Sequence, residues 1–265
     1  MTSVRLVTFN IHHGVGDDRR HDLARIAAVL AAADPDVVCL QEVDRAFGAR
    51  SEGVDQAELL ARALGRELVW ASAIEAPRAD GPAKRYGNAL LTRLPVADDA
   101  AHRLPGEGEP RAALRADLVV AGGALTVLTT HLSSDSARSR AAQAQALVQL
   151  LPPPGRPAVV AGDLNCAATA TELVPLRARL ADAWGRAGRR RDQGRRWQLW
   201  NRDAGLTHPA RRPRLRIDQV WVTPEVQVVG AAVLDGSGCS DHHPLQVDLL
   251  VRGGPVSSPG ADAGR

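Results

Sequence analysis

The chain has 265 residues, enough for one large domain or two small ones, and its 45% apolar content suits a globular protein with a sizeable core. Aromatic residues make up only 3%, so Leu, Val and Ala must fill that core. The formal net charge of +3 permits an anionic substrate without demanding a polymer, and the skew to Arg, with Lys84 the sole lysine, reads as composition and not as phosphate binding.

Val4–Phe9 reads as a short apolar strand. His21–Ala33 follows as a helix with Leu23, Ile26, Ala27 and Leu30 on one face, stopped by Asp34-Pro35. Val37–Leu40 is a second buried strand, and strand–helix–strand over this length is a βαβ-type crossover that brings Asn10 and Glu42 to one sheet end. Asp55–Leu64 is helical, with Gly65 as its stop. Asn88–Thr92, Ala113–Val120 and Leu125–Thr130 are strands, the last two joined by a Gly-Gly turn. Ser136–Leu151 is a long helix ended by three prolines, and Pro157–Ala161 is a buried strand that delivers Asp163. Glu172–Leu180 is a weaker helix because Pro175 falls inside it. Ile217–Val222 and Leu245–Val251 are the final strands. Gly185–Arg196 is Arg-rich and aperiodic, an exposed loop that is either a solvated charge run or a basic surface facing substrate. Residues 252–265 are rich in Gly, Pro, Ser and Ala and are expected to be a disordered tail after a single domain spanning 1–251.

Three cysteines without paired spacing argue against a disulfide framework. Cys39 lies in a core strand, while Cys166 and Cys239 flank polar clusters. No basic-then-apolar leader and no long uncharged apolar run is evident, so a cytoplasmic protein without an integral membrane segment is expected.

The polar residues of interest each adjoin a strand-like apolar run. Glu42 follows Val37-Val38-Cys39-Leu40, where a carboxylate is either turn polarity or a metal ligand, and Asn10 takes the matching position on the neighbouring strand. His131 ends its strand as a hydrogen-bonding or a catalytic group. Asp163 and Asn165 alternate along what reads as an extended segment, so both can point one way. Asp241 and His242 are adjacent and need an irregular backbone to face one site. Asp218 lies inside an apolar strand, where a carboxylate needs a partner, and His242 is the natural one. His12, His13 and His243 read as hydrogen-bonding neighbours of these motifs, and His208 as a solvated loop residue. Zinc-site spacings, a serine nucleophile elbow and a glycine-rich phosphate loop are all lacking.

Taken in order, Asn10, Gln41-Glu42, Gly87-Asn88-Ala89, Thr130-His131-Leu132, Gly162-Asp163-Leu164-Asn165, Arg216-Ile217-Asp218 and Ser240-Asp241-His242 resemble the endonuclease/exonuclease/phosphatase superfamily from about Val4 to Val251. The resemblance implies a four-layer α/β sandwich, two mixed β-sheets packed face to face with helices outside. It also implies a metal-dependent phosphoesterase using Mg2+ or Mn2+. By that likeness Asn10, Glu42 and Asp241 bind metal, Asp163 orients the nucleophilic water, and Asn165 binds a phosphoryl oxygen or a second metal. His242, oriented by Asp218, is the general base, and His131 stabilises or protonates the departing side. Asn88 and Arg111 contact substrate. The abasic-site endonuclease form of the Glu42 motif and the inositol-phosphatase signature are both missing, and Gln219 stands where many members carry an aromatic. The substrate therefore does not carry over.

A monomeric phosphodiesterase acting on a small or lipid-like phosphate ester is the reading these features favour. Two others compete. A nuclease could use the arginines of 185–196 and 211–216 to track a backbone, although the aromatics nearby are only Trp197, Trp200 and Trp221. An inactive phosphate-binding module would have lost Glu42 or His242, and both are present.

Overall fold

The computed structural model describes residues 1–79, 81–187, 204–236 and 238–252. Most of the expected Arg-rich loop, Trp197, Trp200 and the tail beyond Arg252 lie outside these described residues. Two six-stranded sheets face each other. The first runs β11 (Val226–Val233), β12 (Leu245–Val251), β1 (Thr2–Asn10), β2 (Val37–Arg45), β4 (Lys84–Thr92), β3 (Glu67–Ala76). The second runs β5 (Val96–Arg103), β6 (Ala112–Val120), β7 (Gly123–His131), β8 (Ala158–Asp163), β10 (Asp218–Val222), β9 (Ala181–Asp182). This is the expected sandwich of two mixed sheets. β1 and β2 are parallel neighbours joined through α1 (Leu23–Ala33), and β7 and β8 are parallel neighbours joined through α3 (Ala137–Gln149).

Strand alternation assigns each side chain to a layer. Val4 and Leu6 of β1, Val37 and Cys39 of β2, Leu125 and Val127 of β7, and Val220 and Val222 of β10 form the core between the sheets. The alternate residues Val7, Phe9, Val38 and Leu40 pack outward against Ile26 and Leu30 of α1 and Leu60 of α2 (Gln56–Leu64). On the other side Leu128, Val160 and Trp221 pack against Ala144 and Leu147 of α3. Helix ends follow the sequence signals. Asp22, Asp55 and Ser136 are N-caps whose side chains accept backbone N–H bonds from Arg25, Glu58 and Ser139, and Asp34 and Gly65 are left-handed C-caps.

Three features differ from the expectation. β3, β5, β9 and β11 were not foreseen, and all four are edge strands with half-exposed or exposed residues along their length. Without a buried apolar run they carry a weak sequence signal. The expected helix over Glu172–Leu180 is a 3-10 turn followed by α4 (Val174–Arg177), because Pro175 sits in the first turn and starts that helix. α5 (Ala183–Arg186) is a further short helix.

The face between the sheets changes character along the strands. Continuing the inward alternation, β1 goes from Val4 and Leu6 to Thr8 and Asn10, β2 from Val37 and Cys39 to Gln41, β7 from Leu125 and Val127 to Thr129 and His131, and β8 from Val159 and Ala161 to Asp163. A hydrogen-bonded ladder marks the transition: Thr8 Oγ1 donates to Gln41 Oε1 (3.3 Å), and Gln41 Nε2 donates to Thr129 Oγ1 of the opposite sheet (3.0 Å). All three residues are fully buried, so these bonds satisfy groups that would otherwise be costly.

Gly162, beside Asp163, has φ +151°, and a Cβ there would collide with the carbonyl oxygen of Thr130 in the adjoining strand. Gly162→Ala should therefore destabilise the fold by at least about 2 kcal/mol, combining backbone strain with overpacking. Chemical denaturation measures this directly, and an unchanged midpoint would show that the strand pair accommodates the methyl group.

Candidate active site

The polar end of the sandwich opens into a cavity of about 390 Å3. Glu42, Arg111, His131, Asp163, Asn165, Asp241 and His242 line it. Asn10 and Asp218 lie immediately behind the lining and bond to residues in it. Asn88 differs: it is buried, its amide donates to the Ala112 carbonyl (2.8 Å), and it is not among the lining residues.

Asp218 opens β10 and is fully buried. Its Oδ2 accepts from His242 Nδ1 at 2.8 Å, which leaves Nε2 of that ring facing the cavity. The pairing expected from sequence is thus formed. His242 sits in the irregular segment before β12, where its backbone N–H donates to Ser240 Oγ, and Ser240 Oγ in turn donates to the Asn10 carbonyl. Burial alone would lower the His242 pKa. The charge and hydrogen bond of Asp218, with Asp163 and Asp241 adding, overcome that and carry it up to about 10.

Asp163 is the meeting point. Its Oδ2 accepts from Asn10 Nδ2 (3.1 Å) and lies 3.6 Å from His131 Nε2 and 3.7 Å from His242 Nε2. Its Oδ1 accepts the backbone N–H of Asn165 (2.9 Å). Asn165 reaches the cavity through a left-handed backbone, φ +51°, and not along the extended path read from the sequence. Its amide donates to the Leu132 carbonyl (3.0 Å).

Arg111 sets the state of His131. A guanidinium only donates, and Arg111 Nη1 lies 3.0 Å from His131 Nδ1. His131 Nδ1 must accept, so its proton sits on Nε2, toward Asp163. Burial pushes the His131 pKa down, and the Arg111 charge adds to this against the opposing pull of Asp163, so the ring is held neutral.

Glu42 owes its aim to a bulge. The β2–β4 register shifts between Leu40 and Val43, and Glu42 takes φ +55°. Bulges of this kind re-aim side chains beside functional sites. Burial works against the Glu42 charge, but His13, Asn10 and His12 offset it and hold the carboxyl below its ordinary range. Asp241 is likewise held low: burial raises it, while His208, His242 and His12 lower it more. Asn10 Oδ1 accepts the His12 backbone N–H (3.0 Å), so its amide N–H2 faces Glu42 (2.9 Å) and Asp163. In this geometry Asn10 braces the carboxylates, and the oxygen donors are Glu42 and Asp241.

The two carboxylates belong to separate clusters of potential ligand atoms, Glu42 with His12 and His13, and Asp241 with His208 and His242. Both carboxylates are ionised and partly open to the cavity. His13 Nδ1 stands 3.8 Å from Glu42 Oε2, and His208 Nε2 stands 3.8 Å from Asp241 Oδ2, too far for direct hydrogen bonds. His13 Nδ1 and His208 Nδ1 are buried with no partner.

Several lining residues escaped the sequence reading. His12, His13 and His208 join His131 and His242, so five of the eight histidines line one cavity. His208 is not a solvated loop residue: its ring lies 4.5 Å from that of His242. Phe47, Ile74 and Tyr86 form an apolar wall with Arg50, which stacks on both aromatic rings and pairs with fully buried Asp44. The adjacency of His12-His13 to Asn10 was the one signal available for this group. The cysteines are all buried, and burial raises the thiols of Cys39 to about 12 and of Cys166 and Cys239 to about 11, so none acts as a nucleophile near neutral pH. A larger hollow of about 540 Å3 beside α2 and β3, lined by Arg45, Arg62, Arg66 and Trp70, contains none of the motif residues. Among the described residues no helix is long and apolar enough to cross a membrane.

Comparison with known proteins gives a consistent picture. A protein from Beutenbergia cavernae described as an endonuclease/exonuclease/phosphatase is 26% identical, with a TM-score of 0.74 over 95% of this chain and 72% of that one. One from Bacteroides vulgatus with the same description is 21% identical, with a TM-score of 0.74 over 95% of this chain and all of the other (100%). A mannosyl-6-phosphatase from Bacteroides thetaiotaomicron is 18% identical, with a TM-score of 0.69 over 93% and 99%. No curated protein sequence matches the chain significantly. The sequence profile of the endonuclease/exonuclease/phosphatase family matches residues 7–242, and the chain belongs to that family.

Proposed function

We propose that this protein is a metal-dependent hydrolase of small phosphate esters, a phosphodiester or phosphomonoester. The observation that carries the reading is Asp163 held between the inward nitrogens of His131 and His242, with two ionised carboxylates on the adjoining rim. Family membership supports it. A cation on Glu42 and Asp241, Mg2+ or Mn2+ by its oxygen donors, would neutralise charge on the phosphoryl and leaving oxygens.

The chain's own residues divide the remaining work. Asp163 orients the attacking water. With a cation bound on the rim, whose charge would bring the His242 pKa down from about 10, His242 would take the water proton at Nε2, and Asp218 would stabilise the imidazolium that results. His131 offers its Nε2 proton toward the phosphoryl or departing oxygen, in the tautomer Arg111 dictates. Asn165 keeps one amide N–H for a phosphoryl oxygen after bonding to Leu132. Phe47, Ile74 and Tyr86, with Arg50, offer an apolar and cationic wall for the rest of the substrate.

A small substrate is favoured over a long duplex because, among the described residues, two of the arginines of the 211–216 stretch are already engaged. Arg216 forms a two-point pair with Asp182 (3.0 and 2.8 Å), and Arg211 contacts Asp17. Trp221 is a core residue and offers no stacking surface. The neighbouring mannosyl-6-phosphatase shows that the fold hosts at least one enzyme named for a small phosphate ester.

Chelation should abolish turnover, and Mg2+ or Mn2+ should restore it. Glu42→Gln should weaken metal binding sharply, since it keeps shape but loses charge. Full activity after exhaustive chelation would sink the metal-centred reading.

His242→Ala should cut kcat by ~10²-fold or more with the fold intact by circular dichroism, and Asp218→Asn should do much the same. Near-wild-type turnover of His242→Ala at saturating metal would move the base role elsewhere, with His131 the next candidate.

Substrate class is tested with bis(p-nitrophenyl) phosphate and plasmid DNA across a salt series. A duplex binder loses affinity with a log–log slope of about −0.9 per phosphate contact. Turnover of the small ester with a shallow salt response is expected. Steeply salt-dependent nicking with negligible ester turnover would favour a nuclease.

A further inference from the structure

His12 and His13 are unusual for residues with no assigned task. Both adopt left-handed backbone, φ +44° and +43°, directly after β1. Non-glycine residues hold that conformation in succession only under outside constraint. The constraints are visible. The His12 N–H donates to Asn10 Oδ1, the His13 carbonyl accepts from Gln56 Nε2 (2.6 Å), and the Asp22 N–H donates to the Gly14 carbonyl (2.9 Å). Gln56 is itself fully buried. The loop is built to hold two rings in one place, 4.4 Å apart and steeply inclined.

That place is the rim around Glu42. A ring nitrogen of each histidine and a Glu42 oxygen all lie within 4.8 Å of one another. His12 Nδ1 lies 3.1 Å from the Val15 carbonyl, which only accepts, so Nδ1 carries the proton and Nε2 keeps its lone pair. A backbone carbonyl behind the non-ligating nitrogen is the usual support of a metal-bound histidine. His13 Nδ1 is buried with no partner, 3.8 Å from Glu42 Oε2. Two atoms that share a cation at roughly 2.0–2.2 Å each stand about 3–4.4 Å apart.

We propose that His12 and His13 join Glu42 as ligands of the cation, and that the centre selects a first-row transition ion such as Mn2+ or Co2+ over Mg2+. The inference rests on the cation site at Glu42 put forward above. Mg2+ takes oxygen donors and holds its waters, whereas two imidazoles added to the carboxylate oxygens suit later divalent ions.

The test is pulsed electron paramagnetic resonance on chelator-stripped protein reloaded with one equivalent of Mn2+, beside Mn2+ and Mg2+ affinities from calorimetry. Imidazole 14N coupling to Mn2+ is expected in the wild type. Asn tolerates left-handed backbone and lacks the ring, so His12→Asn and His13→Asn are the variants of choice. Each should lose one of the two imidazole 14N couplings, the double variant both, and each single variant at least about tenfold in Mn2+ affinity, the scale seen even for outer ligand partners, with Mg2+ affinity little changed. Absence of 14N coupling in the wild type overturns the proposal without recourse to any variant. Equal loss for both ions, or no loss for either, overturns it as well. Glu42→Gln separates the two readings: if it leaves Mn2+ affinity intact, the cation site itself is misplaced. If it abolishes binding while the histidine variants bind normally, only the nitrogen ligation fails.

Discussion

Everything at the candidate site depends on how the inward faces of the strands are written. Each central strand alternates, and its inward residues are apolar at one end and polar at the other: Val4, Leu6, Thr8, Asn10 on β1, and Leu125, Val127, Thr129, His131 on β7. A one-residue slip in register would turn these groups outward and bury their neighbours. The same pattern that packs the sandwich therefore concentrates carboxylates, amides and imidazoles at one rim. The apolar stretch gives them a rigid base, and the Thr8–Gln41–Thr129 ladder grades the change in polarity so that no buried group in it goes unbonded.

Charge burial is the cost of this design, and the structure meets it by pairing. Asp218 has no solvent exposure, which only a hydrogen-bonded cationic partner makes tolerable. Asp163 draws on an amide, a backbone N–H and two imidazoles. Left-handed backbone at His12, His13, Glu42 and Asn165 is a second cost, and all four residues line the cavity. Such clustering of strained residues is typical of sites whose side chains must be aimed.

Much of this was legible in the sequence, for identifiable reasons. Central strands announce themselves by buried apolar runs, and the polar residue ending each run marks the rim, so Glu42, His131, Asp163 and the Asp218–His242 pair could be placed in advance. Edge strands such as β5, with sequence VADDAAHR, have no such run and escaped notice. Backbone irregularity was also invisible. No local pattern reveals the bulge at Glu42 or the curled loop at His12-His13, because both are fixed by distant partners, β4 and Gln56. His208 was misread for the same reason, since only the folded chain brings it against His242. The Asn10 amide could be placed but not oriented, because its orientation follows from the His12 N–H.

The site draws its halves from different sheets. Asn10, Glu42, Asp241 and His242 belong to β1, β2 and the approach to β12, whereas His131, Asp163 and Asp218 belong to the β7–β8–β10 part of the other sheet and Arg111 directly precedes β6. Neither sheet holds a complete constellation. The Asp218–His242 and Asp163–Asn10 bonds are clasps across the seam, and they can close only when the two sheets have docked in final alignment. Docking of the halves and assembly of the chemistry are thus a single event. A chain whose strands have paired but whose sheets have not met would be ordered and inert, so competence at this site is a direct readout of the docked sandwich.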